Sequence, residues 1–194
     1  MKSLALSLLV FAVSLVTDVA RAAAPELPEG LLPAGYQVSE RHVMNLGGSS
    51  GMYTDWQRYD LTPFEGLATM LEIPAVHGKP KDKFAAVTKI RFIAKGDGKQ
   101  PWLGVAFMVD RKTERIHPLI QQGDETSRLD FTFGLKEKIP VSVIWQSPGT
   151  LALRVADKTV TIPVPFEIDA LAVVGSGLDV SFSPFVILKK AGAD

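Results

Sequence analysis

Between Ile139 and Val164 the chain reads IPVSVIWQSPGTLALRVADKTVTIPV. Ile139, Val141, Val143 and Trp145 share one parity. Leu151, Leu153 and Val155 repeat the pattern, and Val160 and Ile162 repeat it again. In an extended chain successive Cβ atoms point to opposite faces, so alternation of this kind assigns one apolar row to one side of a sheet. Ser147-Pro148-Gly149 and Ala156-Asp157-Lys158 supply turn residues at hairpin spacing. The stretch is therefore expected to be an antiparallel meander with one buried face, and a chain built around it must provide a second layer to bury that face.

The remaining segments extend the same pattern. Leu67, Thr69, Leu71 and Ile73 alternate before Pro74, and Ala86, Thr88, Ile90, Phe92 and Ala94 alternate against Lys89, Arg91 and Lys95. Leu103, Val105, Phe107 and Val109 form an inward row, whose reverse side carries Trp102, Gly104, Ala106, Met108 and Asp110. That reverse side is unusually apolar for a solvent face. Pro118 interrupts the run Ile116–Gln121, which places that strand at an edge or bulge. Leu129, Phe131, Phe133 and Leu135 alternate with Arg128, Asp130 and Thr132, which reads as another strand. Tyr36–Leu46 and Met52–Asp60 read as strands separated by a glycine-rich loop, Gly47–Gly51. Short strands at Leu171–Val174, Leu178–Phe182 and Phe185–Leu188 close the chain. No segment has helical periodicity beyond two turns. The expected fold is an all-β, antiparallel two-sheet β-sandwich.

Lys2, the apolar run Leu4–Val16 and Ala20-Arg21-Ala22 have the form of a secretory signal peptide cleaved after about residue 22. Residues 23–35 then form a proline-containing extended leader, and 36–190 a single sandwich domain. The implied location is periplasmic or secreted, with no membrane insertion after cleavage. Cysteine is absent from the chain, so stability must come from a hydrophobic core, which about 170 residues can bury. The 194-residue chain is formally neutral. Loss of Lys2, Asp18 and Arg21 leaves it with a single net negative charge, a balance that does not favour nucleic acid as a partner.

The run from Val141 to Ser181, VSVIWQSPGTLALRVADKTVTI followed by LAVVGSGLDVSF, together with the earlier strand GVAFMV, resembles concanavalin A-like jelly-roll domains. These occur in lectins, laminin-G-like modules and polysaccharide-active enzymes. The resemblance implies a fold; it transfers no site. The E-x-D-x-E strand of retaining glycosidases with this fold is missing, and Glu72 stands alone on its strand. Arg115-Ile116-His117 only echoes the Q-I-H triplet of alginate-lyase-type jelly rolls, whose R-x-E-L-R strand is also missing. His42, His77 and His117 lack zinc-ligand spacing, and Asp97, Asp124 and Asp157 fit turns as they stand. No catalytic residue, metal or cofactor is therefore assigned.

One surface remains. If the strand at 102–110 and the run at 128–132 are neighbours, Trp102, Ala106 and Met108 lie beside Arg128, Asp130 and Thr132, with His117 and Gln121 between. An aromatic side chain, a low floor and charged groups suit a sugar chain. The candidate ligand-binding residues are Trp102, Met108, His117, Gln121, Arg128 and Asp130. The expected function is non-catalytic binding of a glycan or cell-envelope polysaccharide. A polysaccharide lyase or hydrolase with a diverged site is an alternative, and so is an assembly subunit that binds an envelope protein. A further expectation weighs against all three uses of this surface: the segment Tyr36–Trp56 could fold over it. Trp145 is read as a core residue.

Overall fold

The structure, a computed structural model, describes residues 27–192 apart from Pro80, Lys83, 97–100 and Pro148. The expected signal peptide lies outside the described residues. Eleven strands follow in order: β1 (Tyr36–Arg58), β2 (Gly66–Val76), β3 (Ala86–Ala94), β4 (Trp102–Asp110), β5 (Arg115–Gln122), β6 (Glu125–Arg128), β7 (Phe133–Gly134), β8 (Ile139–Ser147), β9 (Thr150–Val155), β10 (Lys158–Pro163) and β11 (Ile168–Lys190). The described residues contain no helix, and hence none long and apolar enough to cross a membrane.

All strand pairs are antiparallel, and hydrogen bonding is continuous through the order β10-β9-β8-β2-β11-β3-β4-β5-β6. The sheet nevertheless folds into two leaves, because β11 serves both. Its second half, Leu178–Leu188, pairs with β2, and its first half, Ile168–Ser176, pairs with β3. The bend falls at Gly177, whose φ of 66° is a left-handed conformation that favours glycine. A Cβ there would lie 3.3 Å from Ala86 Cα and 2.9 Å from Arg111 Nη2. β1 runs beside β11 along both leaves and shifts register between Gly48 and Tyr53. The glycine-rich stretch expected to be a loop is thus a bulge inside one long strand, and the three short closing strands are a single bent one.

β1 doubles back so far that its two halves touch. Arg58 Nη2 donates to Glu40 Oε1 at 2.7 Å and Arg58 Nε to Glu40 Oε2 at 3.0 Å, across 18 positions of sequence. His42 and Trp56 rings lie 5.0 Å apart, and Trp56 meets Phe185 edge-on at 5.5 Å. The pair therefore links the leaves along one margin.

Between the leaves lies the main core. The meander contributes Ile139, Val141, Val143, Leu151, Leu153 and Val155, all at most 1% exposed. The facing leaf contributes Ile90, Phe92, Leu103, Val105, Phe107 and Ile116, all fully buried. Phe64 and Phe92 rings meet at 5.7 Å inside this layer. The expected inward rows of β2, β3, β4, β8 and β9 are all found.

Residues 129–135 depart from expectation. Only Phe133–Gly134 is laddered, against Arg115 and Ile116 of β5. Leu129, Phe131, Phe133 and Leu135 do pack against the core, so the alternation marked the buried side correctly. The backbone leaves the sheet after Arg128 because Pro118 interrupts β5: β6 pairs with 119–122 and β7 with 115–116, on either side of the residue that has no N–H. The Pro118 carbonyl is still used, accepting from Leu129 N at 3.0 Å.

Candidate functional site

The outer faces of the leaves differ. On the β2–β8 leaf, Ala68, Val186 and Leu188 form a second apolar cluster with Leu31, and Leu27, Tyr36, Val38 and Ile144 pack against it. The described part of the leader, Leu27–Gly35, thus lies over this face. On the other leaf, β1 sits at the margin beside β11 and not across the face. The expectation that Tyr36–Trp56 would cover the reverse side of β4 is not met.

Directly opposed residues in an antiparallel pair share a face, so the register gives the layout of this outer surface. Gly104 lies between Arg91 of β3 and Gln121 of β5. Ala106 lies between Lys89 and Leu119, and Leu119 in turn opposes Arg128 of β6. Met108 lies between Val87 and His117. Beyond β3 the same rows continue into Ala172 and Val174 of β11. The centre of the face is built of the small residues Gly104, Ala106 and Ala172, all buried, with larger side chains standing around and over them.

Of the residues singled out from sequence, the fold brings Trp102, Met108, His117, Gln121 and Arg128 to this one face. Asp130 is exposed in the segment that has left the ladder, and Thr132 beside it is engaged by Arg115, whose Nη2 donates to Thr132 Oγ1 at 2.8 Å. Arg128 is exposed, while Trp102, Met108, His117 and Gln121 are half-buried.

Lys89 and Arg91 were absent from that set. Their signal was visible, since they alternate with the buried positions of β3, but a row of cations opposite a buried row is ordinarily a solvated surface. Here both are half-buried and gathered at one ring. Lys89 Nζ lies 5.0 Å from the Trp102 ring centroid, and Arg91 Cζ 4.8 Å from it. The ring has room because residue 104 is glycine: a Cβ at that position would sit 3.0 Å from Trp102 Cζ3 and 2.9 Å from Lys89 Cδ. Lys89 Nζ donates to Gln121 Oε1 at 2.5 Å. Burial, and then the Arg91 guanidinium, pull the Lys89 ammonium below its ordinary range. Arg91 Nε is buried without an acceptor. Among the described residues no carboxylate lies within 4.0 Å of either cation.

A second concavity opens at one end of the sandwich, a cleft of about 590 Å³ whose lining includes Phe64, Glu65, Trp145, Phe166 and Glu167. Trp145 packs against the core on one side and borders this cleft on the other, so it is half-buried where full burial was expected. Among the described residues no group of three or more histidine or acidic side chains is placed to hold a metal.

No family model and no curated protein matches the sequence. Solved structures do match. A polysaccharide lyase family 18 structure superposes with a TM-score of 0.52 at 9% identity, covering 80% of this chain and 95% of that one. A fructofuranosidase from Schwanniomyces occidentalis gives 0.54 at 9% identity over 82% of this chain, which corresponds to 35% of that longer chain. An alginate lyase from Pseudomonas aeruginosa gives 0.50 at 11% identity, covering 69% and 68%. At these identities the likeness concerns the fold: the chain is an all-β jelly roll of the concanavalin A-like kind.

Proposed function

We propose that this chain is an exported, periplasmic or secreted, non-catalytic module that binds a glycan chain across the outer face of the β3–β4–β5 leaf. The observation that carries the reading is the contrast between the two outer faces. One is closed by Leu27 and Leu31. On the other, a floor of glycine and alanine is bordered by Trp102, Lys89, Arg91, His117, Gln121 and Arg128. The half-buried Trp102 ring adds apolar surface above this centre, and the long polar side chains around it supply hydrogen bonds to hydroxyls.

The superposed structures are named as a polysaccharide lyase, a fructofuranosidase and an alginate lyase, so carbohydrate is the ligand class to test first. Non-catalytic binding is preferred because the acidic side chains that register places on this face stand apart: Asp55 on β1 is two strands from Lys89 and accepts a hydrogen bond from Gln57, and Asp110 at the end of β4 accepts from Lys112 N and Thr113 Oγ1. Among the described residues, paired carboxylates flanking a bond are not assembled there.

The test is a glycan array on the secreted chain, followed by calorimetry on each hit. A single open site loses water from every hydroxyl it engages, so affinity no tighter than about micromolar is expected. Trp102→Ala should abolish binding with the circular-dichroism spectrum retained. Failure to bind any polysaccharide overturns the reading, and depolymerisation of the bound polysaccharide overturns its non-catalytic part.

A further inference from the structure

We infer that the glycan is a polyanion, and that Lys89 and Arg91 together seat one of its carboxylate or sulfate groups. The inference rests on the reading that this face is the binding surface. It adds the charge of the ligand and the residues that read it.

The two cations occupy alternate outward positions of one strand, so they stand side by side. Arg91 is flanked across the strands by Gly104 and Ala172, and Lys89 by Ala106 and Val174. Among the described residues no carboxylate neutralises them. The Trp102 ring against both attracts cations through its quadrupole, yet it carries no charge and leaves the pair net positive. Gln121 takes one proton of Lys89 and likewise contributes no negative charge.

Half-buried like charges held together without a counter-charge cost stability, and a fold with no use for them could replace either by a neutral side chain. The orphaned Arg91 Nε is the second sign, since a buried donor without an acceptor is rare. A carboxylate or sulfate bridging the two groups would relieve the repulsion. The guanidinium fork suits two oxygens of one acid, and the ammonium a third contact. Arg128 continues the positive row. It lies in register with Lys89 by way of Ala106 and Leu119, three strand spacings or about 14 Å away. A chain bearing an acid on successive sugars can reach both.

The experiment compares retention and calorimetric binding of the secreted chain on three polymers: polygalacturonate (carboxylate), dextran sulfate (sulfate) and neutral dextran. Expected is binding to one or both acidic polymers and not to dextran. Arg91→Gln and Lys89→Met should each weaken it about tenfold or more, the loss associated with a hydrogen bond to a charged group. Lys138→Gln, an exposed cation elsewhere, should leave it unchanged. Arg91→Lys separates the sources: a larger loss on polygalacturonate than on dextran sulfate marks a carboxylate seat, and the reverse a sulfate seat. Equal binding to dextran, or an Arg91→Gln effect no larger than that of Lys138→Gln, overturns the inference and leaves the glycan reading standing. Binding to no polymer on this panel or on the array overturns both.

Discussion

Lys89 illustrates how a single side chain can work against the fold it sits in. Its ammonium is lowered by burial and by Arg91, so the folded state holds that proton less tightly than the unfolded chain does. For a lysine this sign means that charging opposes folding: the penalty is fully present below the folded value and fades as pH rises through it toward the ordinary 10.5. Lys89→Met keeps the stem over Trp102 and removes the charge, and should raise the melting temperature slightly near neutral pH. A fall would mean that the contacts to Gln121 and Trp102 outweigh the repulsion. Val143 and Ile144 give the complementary comparison. Val143 is fully buried between Leu67 and Leu153, whereas Ile144 faces outward and is half-covered by the leader cluster. Val143→Ala should cost about 2–4 kcal/mol in a denaturant titration and Ile144→Ala less, because only the first leaves a closed cavity. That difference was legible in the sequence, since parity alone assigns the two faces. The Lys89–Arg91–Trp102 cluster was not. Its members are on different strands, and only register, set by loops the sequence describes poorly, makes Gly104 the neighbour of Arg91.

At the scale of the element, the strands with the clearest alternation were readable to within a residue or two, and the long bent ones were not. β1 and β11 each pass from one leaf to the other; the buried side of β11 changes parity at Gly177, and β1 shifts register at Val38–Glu40, His42–Met44 and Gly48–Tyr53, so each breaks into what resemble separate short strands. The bend carries two expectations. Gly177→Ala should destabilise by about 1–2 kcal/mol from the left-handed backbone alone, with the close approach to Arg111 and Ala86 adding to it. Gly30→Ala, which shares the positive φ but has open space, should cost only the backbone part. The second expectation concerns pH. The hydrogen bonds from Arg58 hold the Glu40 carboxyl below its usual range, with His42 assisting. A depressed carboxylate stabilises the fold above its unfolded value and loses that contribution as pH falls through the folded value. The window therefore opens near 4.5 and extends to more acidic pH. Glu40→Gln should flatten the melting-temperature profile over that interval and leave it parallel to the parent above pH 6 or so. An unchanged acid limb would show that the staple across β1 contributes nothing measurable.

At the scale of the whole molecule, the asymmetry of the two outer faces depends on a few residues ahead of the first strand. The β2–β8 leaf presents Ala68, Val186, Leu188 and Ile144 outward, and these are apolar because Leu27 and Leu31 lie on them. Leu31 is only 4% exposed, and it is held by a turn in which its N–H donates to the Pro28 carbonyl at 3.1 Å. Export with cleavage near residue 22 would leave this cover intact. A chain starting at Ala23 keeps both leucines and should therefore be monomeric and melt like the full chain. A chain starting at Ala34 keeps every strand but loses both leucines. It should expose a contiguous apolar patch, bind a hydrophobic dye, and associate at concentrations where the longer chain does not. Leu31→Ala in the longer chain should lower the melting temperature in the same direction, with a cost of about 2–5 kcal/mol if the site behaves as a buried leucine. Glycan binding separates the two faces. If the open leaf acts alone, the chain from Ala34 retains, at concentrations low enough to keep it dispersed, the affinity of the chain from Ala23. Loss of binding together with the cover would mean that the leader contributes to the site and that the β3–β4–β5 face is not sufficient by itself.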